Sequence, residues 1–202
     1  MAIKIGIYIY EDAEVLDFSG PFEVFTTASR VSKNGLFEVF LIAETTEIVK
    51  ARAGYKVVPD YGFSDHPVVD VLIVVGGDHS REIHKTQVIE WIALQAQQCS
   101  LVASVCTGAF LLAQAQVITD QQVTTHWEDL ADLKQSFPAL DVVSDVRWVD
   151  QGNIVTSGGI SAGIDMSLHL VSKLHSEALA QRTAKQMEFL WLKNDQEKVQ
   201  SK

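Results

Sequence analysis

The sequence has few of the residues that stabilise small secreted domains or bind nucleic acids. Only two of its 202 residues are cysteines, Cys99 and Cys106, too few for a disulfide framework and too far apart for a C-x-x-C pair. There are 16 Lys and Arg against 26 Asp and Glu, and the formal charge of -10 disfavours binding to phosphate backbones or anionic membranes. We therefore expect no nucleic-acid or membrane partner, and a reducing, cytoplasmic location.

Long apolar runs and cofactor motifs are also missing. No stretch approaches the ~18 apolar residues of a membrane span, and the N-terminal MAIKIGIYIY alternates like a strand without a cleavage site, so we expect no signal peptide. The six histidines form no metal-binding motif, and there is no G-x-G-x-x-G or P-loop, so we expect no metal and no cofactor. With 47% hydrophobic residues, the chain predicts a single domain over 1–193 and a charged, frayed tail over 194–202.

The pattern of apolar residues alternates between strands and helices. It predicts strands over 3–10, 37–43, 69–75 and 101–105, short strands around Gly54 and a strand ending in QVTTHW, a hairpin turn over 150–153, and helices over 21–31, 88–96, 107–115, 161–174 and 177–192. This order predicts an α/β fold with a mostly parallel sheet and helices on both faces. In such sheets ligands bind at the carboxyl ends of the strands, where Asp17, Gly76-Gly77 and Cys106 all fall.

The stretch SVCTG places Cys106 between a strand and a helix. This arrangement resembles the nucleophile elbow, a sharp strand-to-helix turn that presents a nucleophile, with small residues on either side. A thiol at a helix N-terminus also lies at the positive end of the helix dipole, which favours the thiolate. The alternative is that Cys106 is a small buried core residue. Cys99 has no such setting, and we expect it to be structural.

The other candidate residues each have a structural alternative. The Gly76-Gly77 pair can present N–H groups to an oxyanion or can be a tight turn. Asp17 can work with the thiol in acid–base chemistry, the two groups titrating as a coupled pair, or it can favour the start of a helix near Pro21. His126 and Trp127 can line the pocket, or the histidine can have a structural hydrogen-bonding role. Asp165 and His169, four residues apart, predict a hydrogen bond on a helix surface.

Four separated segments, VLIVVGG, SVCTGAFLLA, TTHW and TSGGISAGIDMSLHLV, together resemble the ThiJ/PfpI superfamily, relatives of class I glutamine amidotransferase domains. DFSGPFEVF with SVCTG is similar to the isocyanide hydratase-like members and equally to the ligand-binding half of AraC-type regulators. The resemblance spans residues 3 to about 192 and implies a flavodoxin-like sandwich, commonly a homodimer.

Two departures from the family pattern are visible. Asp17 stands where protease-like and deglycase-like members have a glutamate, and Thr107 stands where the protease-like members have a histidine, which argues against peptidase activity. His126-Trp127-Glu128 comes too soon after Cys106 to be the amidotransferase His-x-Glu.

The resemblance implies a cofactor-free hydratase that adds water to a small electrophilic isocyanide. Cys106 would be the nucleophile and Asp17 the proton shuttle, while Thr107 and the Gly77 amide would orient or stabilise the adduct. Two alternatives stay open: a ligand-sensing module related to the AraC-type regulators, and a glyoxalase-like or stress-related thiol protein. The chain ends about ten residues beyond its last predicted helix, so we expect no helix-turn-helix domain after this unit.

Overall fold

A computed structural model describes residues 2–194. Six strands form one sheet in the order β2-β1-β5-β6-β10-β9, and all neighbours are parallel except β10 and β9. Its strands are β1 (Ile3–Tyr8), β2 (Phe37–Ile42), β5 (Val71–Val74), β6 (Leu101–Val105), β9 (Trp148–Asp150) and β10 (Ile154–Ser157). Two small sheets pair β3 (Val49–Ala51) with β4 (Tyr55–Val57), and β7 (Gln122–Val123) with β8 (Asp141–Val142).

Helices cover both faces of the sheet. They are α1 (Val15–Ser32), α2 (Thr86–Gln98), α3 (Gly108–Gln114), α4 (Leu130–Ser136), α5 (Ser161–Leu174) and α6 (Glu177–Gln186). Helices α1, α5 and α6 pack together, while α2 and α3 form a separate group. Strands β5 and β6 are buried along their whole length, as expected for central strands with helices on both faces. The predicted mostly parallel α/β fold is confirmed.

The start of α1 differs from the sequence prediction. The Ser-Gly-Pro segment indicates a start near Pro21, but the helix begins at Val15, which places Asp17 in its first turn rather than in a loop. Pro21 lies inside the helix, where it has no N–H to donate to the carbonyl of Asp17. Packing decides the outcome: Phe18 and Gly20 are buried, and a Cβ on Gly20 would lie 2.9 Å from Ile164 Cγ1.

Three other predictions also need correction. The last helix ends at Gln186 instead of residue 192, and only Gln122–Val123 of QVTTHW is a strand. Asp165 and His169 do not bond each other: Asp165 is fully buried and pairs with Arg147, whereas His169 bonds Asp150. The predicted hairpin turn between β9 and β10 is present. The predicted tail over 194–202 lies outside the described residues except for Asn194.

Candidate active site

Cys106 lies on the turn between β6 and α3 in a left-handed backbone conformation. Its φ is +57°, a value that residues other than glycine seldom adopt and that is typical of strained functional turns. Its N–H donates to the carbonyls of Ser157 (3.2 Å) and Gly158 (3.3 Å), which lie at the end of the neighbouring strand β10. Small residues allow this turn to sit close to β5, since a Cβ on Gly108 would lie 2.2 Å from the carbonyl oxygen of Val74. The geometry is that of a nucleophile elbow.

Asp17 is fully buried beside this elbow and is held from two sides. Its Oδ1 accepts the N–H of Ile160 at 2.9 Å, and its Oδ2 accepts the N–H of Gly76 at 3.2 Å. Burial raises the pKa of Asp17 to about 7, although the two backbone N–H groups act to lower it. Asp17 is therefore a carboxyl group that can gain and lose a proton near neutral pH.

The thiol of Cys106 and the carboxyl of Asp17 each shift the pKa of the other. Burial raises the pKa of the Cys106 thiol, and the Asp17 carboxylate raises it further, whereas the N–H of Thr107 lowers it. The sequence suggested that the dipole of α3 favours the thiolate, whereas burial and the neighbouring carboxylate favour the protonated thiol. Because the two groups are coupled, they titrate as a pair, in which the thiol holds its proton at neutral pH. Burial likewise raises the pKa of Cys99, to about 11.

Gly77 and Thr107 fasten the loop after β5 to the elbow. The N–H of Gly77 donates to Thr107 Oγ1 at 2.9 Å, and the same hydroxyl donates to the carbonyl of Gly77, also at 2.9 Å. The N–H of Gly77 is thus already engaged rather than free for an oxyanion, contrary to the sequence-based expectation. The N–H of Thr107 is the backbone group beside the sulfur.

The thiol opens into a cavity of about 450 Å³ at the carboxyl ends of the strands. His126 lines this cavity, and its Nδ1 lies 3.4 Å from Asp129 Oδ2 and 3.4 Å from the N–H of Glu128. Trp127 does not line it, and its side chain is 73% exposed, so the predicted pocket role of Trp127 is wrong. Sequence reasoning missed Glu14, Arg52, Asp78, His79, Ser80, Glu128, Asp129 and Ile160, which also line the cavity.

Two of the missed residues show why no local pattern in the sequence points to them. Ile160 supplies a backbone N–H, a role that any side chain could have, and its partner Asp17 lies 143 positions earlier in the chain. Arg52 lies in the β3–β4 hairpin, where its Nε is 3.6 Å from Glu14 Oε2 at the cavity wall. Only the glycine pair before Ile160 indicated an irregular turn there.

Among residues 2–194 no three His, Cys, Asp or Glu side chains are grouped to hold a metal ion. Within the same residues no helix is long and apolar enough to span a bilayer. The site offers a thiol, a carboxyl group with a near-neutral pKa and several backbone N–H groups.

Several curated relatives are similar to most of this chain. An isonitrile hydratase of Pseudomonas putida is 33% identical over 94% of the chain and 79% of its own length. The transcriptional regulator GbdR of Pseudomonas aeruginosa is 26% identical over 96% of the chain, which spans only about half (53%) of that regulator. A glutathione-independent glyoxalase of Caenorhabditis elegans, DJR-1.2, is 28% identical over 81% of the chain and 84% of its own length.

Solved structures show the same fold. A ThiJ/PfpI family protein from Pseudomonas syringae superposes with a TM-score of 0.83 at 24% identity, covering 94% of this chain and 76% of the other. DJ-1beta of Drosophila melanogaster superposes with a TM-score of 0.80 at 21% identity, covering 95% of this chain and all of the other. The family model for DJ-1/PfpI proteins matches residues 3–173, which include the elbow and the turn that holds Asp17. The chain therefore belongs to the DJ-1/PfpI family.

Proposed function

We propose that this protein is a cofactor-free, cysteine-dependent hydratase that converts an isocyanide, R–N≡C, to the N-formamide R–NH–CHO. The observation that carries the proposal is the pairing of the Cys106 thiol with a buried carboxyl group, Asp17, whose pKa is raised by burial to about 7. The similarity to a named isonitrile hydratase over 94% of the chain supports the same chemistry.

In the first step, sulfur attacks the terminal carbon of the isocyanide. The C–S bond forms as the Cys106 proton passes to the Asp17 carboxylate, and Asp17 delivers that proton to the same carbon. The product is a thioimidate, R–N=CH–S–Cys106, with no net change in protons. A carboxyl group with a pKa near the working pH suits both transfers, because neither direction is strongly uphill.

In the second step, water adds to the thioimidate carbon. Asp17 takes one proton from the water and passes it to nitrogen, giving a tetrahedral adduct that carries a hydroxyl group. The C–S bond then breaks, the hydroxyl proton returns through Asp17 to sulfur, and the formamide leaves. The N–H of Thr107 lies beside the sulfur and is the donor we assign to the adduct, while its hydroxyl holds the Gly77 loop in place.

Isocyanide hydration by purified variants tests this proposal. Cys106→Ser should abolish formamide production, and Asp17→Asn should lower turnover by ~10²–10⁴, the usual contribution of a positioned acid or base. Mass spectrometry of Asp17→Asn should then show little Cys106 adduct, because the first step also needs Asp17 to carry the thiol proton to carbon. Cys99→Ser is the matched control, and it should retain wild-type turnover because Cys99 lies outside the cavity. Wild-type turnover in Cys106→Ser would contradict the mechanism.

A ligand-sensing role is the second candidate, because a regulator matches 96% of this chain with about half of its own length. A sensor would bind a small molecule near Cys106 without turnover. The glyoxalase relative adds a third chemistry for the same thiol. Parallel turnover assays with an isocyanide and with methylglyoxal separate the two enzyme activities. Calorimetric titration of Cys106→Ser with the same two compounds tests for binding without turnover, as a sensor requires. Hydration of the isocyanide alone supports our proposal.

A further inference from the structure

Ile160, whose N–H donates to the Asp17 carboxyl, has a strained backbone conformation. Ile160 has φ +55° and ψ -107°, a conformation that is unfavourable for a β-branched side chain, and its N–H is the closer of the two that hold the Asp17 carboxyl. Such a conformation persists only when surrounding contacts fix it. Those contacts must come from the neighbourhood of residues 158–161, the turn between β10 and α5.

Arg147 makes three contacts that hold this turn. Its carbonyl accepts the N–H of Gly158 at 3.0 Å, its Nη2 donates to Ser161 Oγ at 3.2 Å, and its Nε donates to Asp165 Oδ2 at 2.8 Å. Arg147 thus contacts the turn on both sides of Ile160, at Gly158 and at Ser161. A guanidinium group is suited to this task, because its fork of donors reaches two acceptors at fixed angles.

Asp165 connects Arg147 to the C-terminal segment, residues 187–194. Asp165 is fully buried, and its Oδ1 accepts the N–H of Leu192 at 2.9 Å, while its carbonyl accepts Trp191 Nε1–H at 3.1 Å. The same segment returns to Arg147, whose N–H donates to Asn194 Oδ1 at 2.9 Å. A buried carboxylate without its cation is costly, so Asp165 and Arg147 depend on each other.

We propose that Arg147 and Asp165 are positioning residues that fix the Ile160 N–H on Asp17 and so make the C-terminal segment part of the support of the active site. Neither residue touches the thiol. Loss of the pair would loosen the turn, weaken the Ile160 N–H bond to the Asp17 carboxylate and thereby make its ionised form less favourable. The inference rests on the proposed function only for its effect on turnover.

The groups that face Asp17 from other directions would be unchanged by substitution of this pair. They are Glu14 just before α1 and its partner Arg52, Cys106 on the elbow, and Tyr10 after β1. The Gly76 N–H likewise belongs to a different loop. A change in the titration of Asp17 in a variant of Arg147 or Asp165 therefore reports on the Ile160 turn.

The pH dependence of Cys106 alkylation tests the proposal without any need for a substrate. The rate of iodoacetamide labelling of the Cys106 peptide, followed by mass spectrometry, should rise along an acid limb near pH 7 in the wild type, because only ionised Asp17 can take the thiol proton during alkylation. Arg147→Lys and Asp165→Asn should move that limb upward by about half to one pH unit, the scale of one backbone N–H bond to a carboxylate. Isocyanide turnover should show the same shift.

Two further variants keep the result decisive. Ser161→Ala removes only the hydrogen bond from Arg147 Nη2 to Ser161 Oγ and leaves the bond from Nη2 to Asp165. This variant should fold normally and show a smaller upward shift, so it decides the matter if the other variants unfold. Asp150→Asn is the matched control: Asp150 bonds Lys173 Nζ (2.8 Å) and His169, joining β9 to the far end of α5. It should lower the melting temperature without moving the limb. The proposal would be overturned if folded Arg147 or Asp165 variants showed the wild-type pH dependence of Cys106 alkylation, or if Asp150→Asn shifted that dependence equally. Failure of isocyanide turnover in the wild type would leave the alkylation result standing.

Discussion

At the scale of single residues, the site is built around a carboxyl group that folding makes less acidic. Asp17 is fully buried, and its two oxygens accept only one backbone N–H each, so the loss of water outweighs the gain from hydrogen bonds. The same burial that gives Asp17 a pKa near the working pH costs stability when the group ionises. Stability and reactivity thus compete at one side chain.

The free energy of unfolding should therefore depend on pH through the ionisation of Asp17. The pKa of Asp17 is raised from 3.8 to about 7 by burial, so the folded state holds its proton more tightly than the unfolded state. The favourable contribution is complete below pH 3.8 and is lost as the pH rises to about 7. Relative to Asp17→Asn, the wild type should therefore lose a few kcal/mol of unfolding free energy over that window, measured by urea denaturation at several pH values. A constant difference between the two proteins would show that Asp17 does not titrate in this range.

At the scale of elements, the site depends on how closely three turns approach one another. The loop after β5 lies against the elbow, where a Cβ on Gly76 would be 2.7 Å from Cys106 Cβ. The same loop lies against the segment before α1, where a Cβ on Gly77 would be 2.4 Å from the carbonyl oxygen of Asp12. Backbone hydrogen bonds join the two, from the N–H of Glu14 to the carbonyl of Gly76 at 2.9 Å. Glycine is therefore required here for space as well as for conformation.

Gly77→Ala and Gly35→Ala separate these two requirements. Both residues have positive φ, +141° and +55°, but only Gly77 has atoms where the new methyl group would lie. Gly35→Ala should cost about 1 kcal/mol from its left-handed backbone alone. Gly77→Ala should cost about 3 kcal/mol or more, because backbone atoms must move apart, and it should also reduce turnover. Thermal or urea denaturation measures both, and equal losses would contradict the close-approach argument.

The strand ends were predictable from sequence, and the contacts between turns were not. Apolar runs followed by glycine or a small residue located the end of β5 and the elbow at Cys106, because a buried strand leaves a clear local signal. The start of α1 was not predictable, since Pro21 indicates a helix start and only tertiary packing of Phe18 and Gly20 extends the helix back to Val15. The anchor of Asp17 was equally hidden, because the bond from Ile160 is a backbone contact that depends on the folded sheet.

At the scale of the whole molecule, an exposed hairpin stands out against an acidic surface. Ile48 (52%), Tyr55 (57%) and Val58 (67%) are more than half exposed in or beside the hairpin formed by β3 and β4. Arg52, which lines the cavity, lies at the tip of the same hairpin. Exposed apolar residues grouped in this way are typical of a surface that contacts another protein, and the family resemblance predicts a homodimer.

Sedimentation velocity at micromolar concentration should therefore show a dimer that strengthens with salt. Each chain carries a formal charge of -10, so two copies repel each other at low ionic strength, and screening relieves that repulsion while apolar contacts persist. Tyr55→Lys should weaken the dimer about tenfold or more, the effect of losing roughly 1.4 kcal/mol of contact. Leu94→Lys, which changes a residue that is 51% exposed on α2, is the matched control and should leave association unchanged. A monomer at every salt concentration would contradict the dimer, and dissociation by Leu94→Lys alone would move the contact surface from the hairpin to α2.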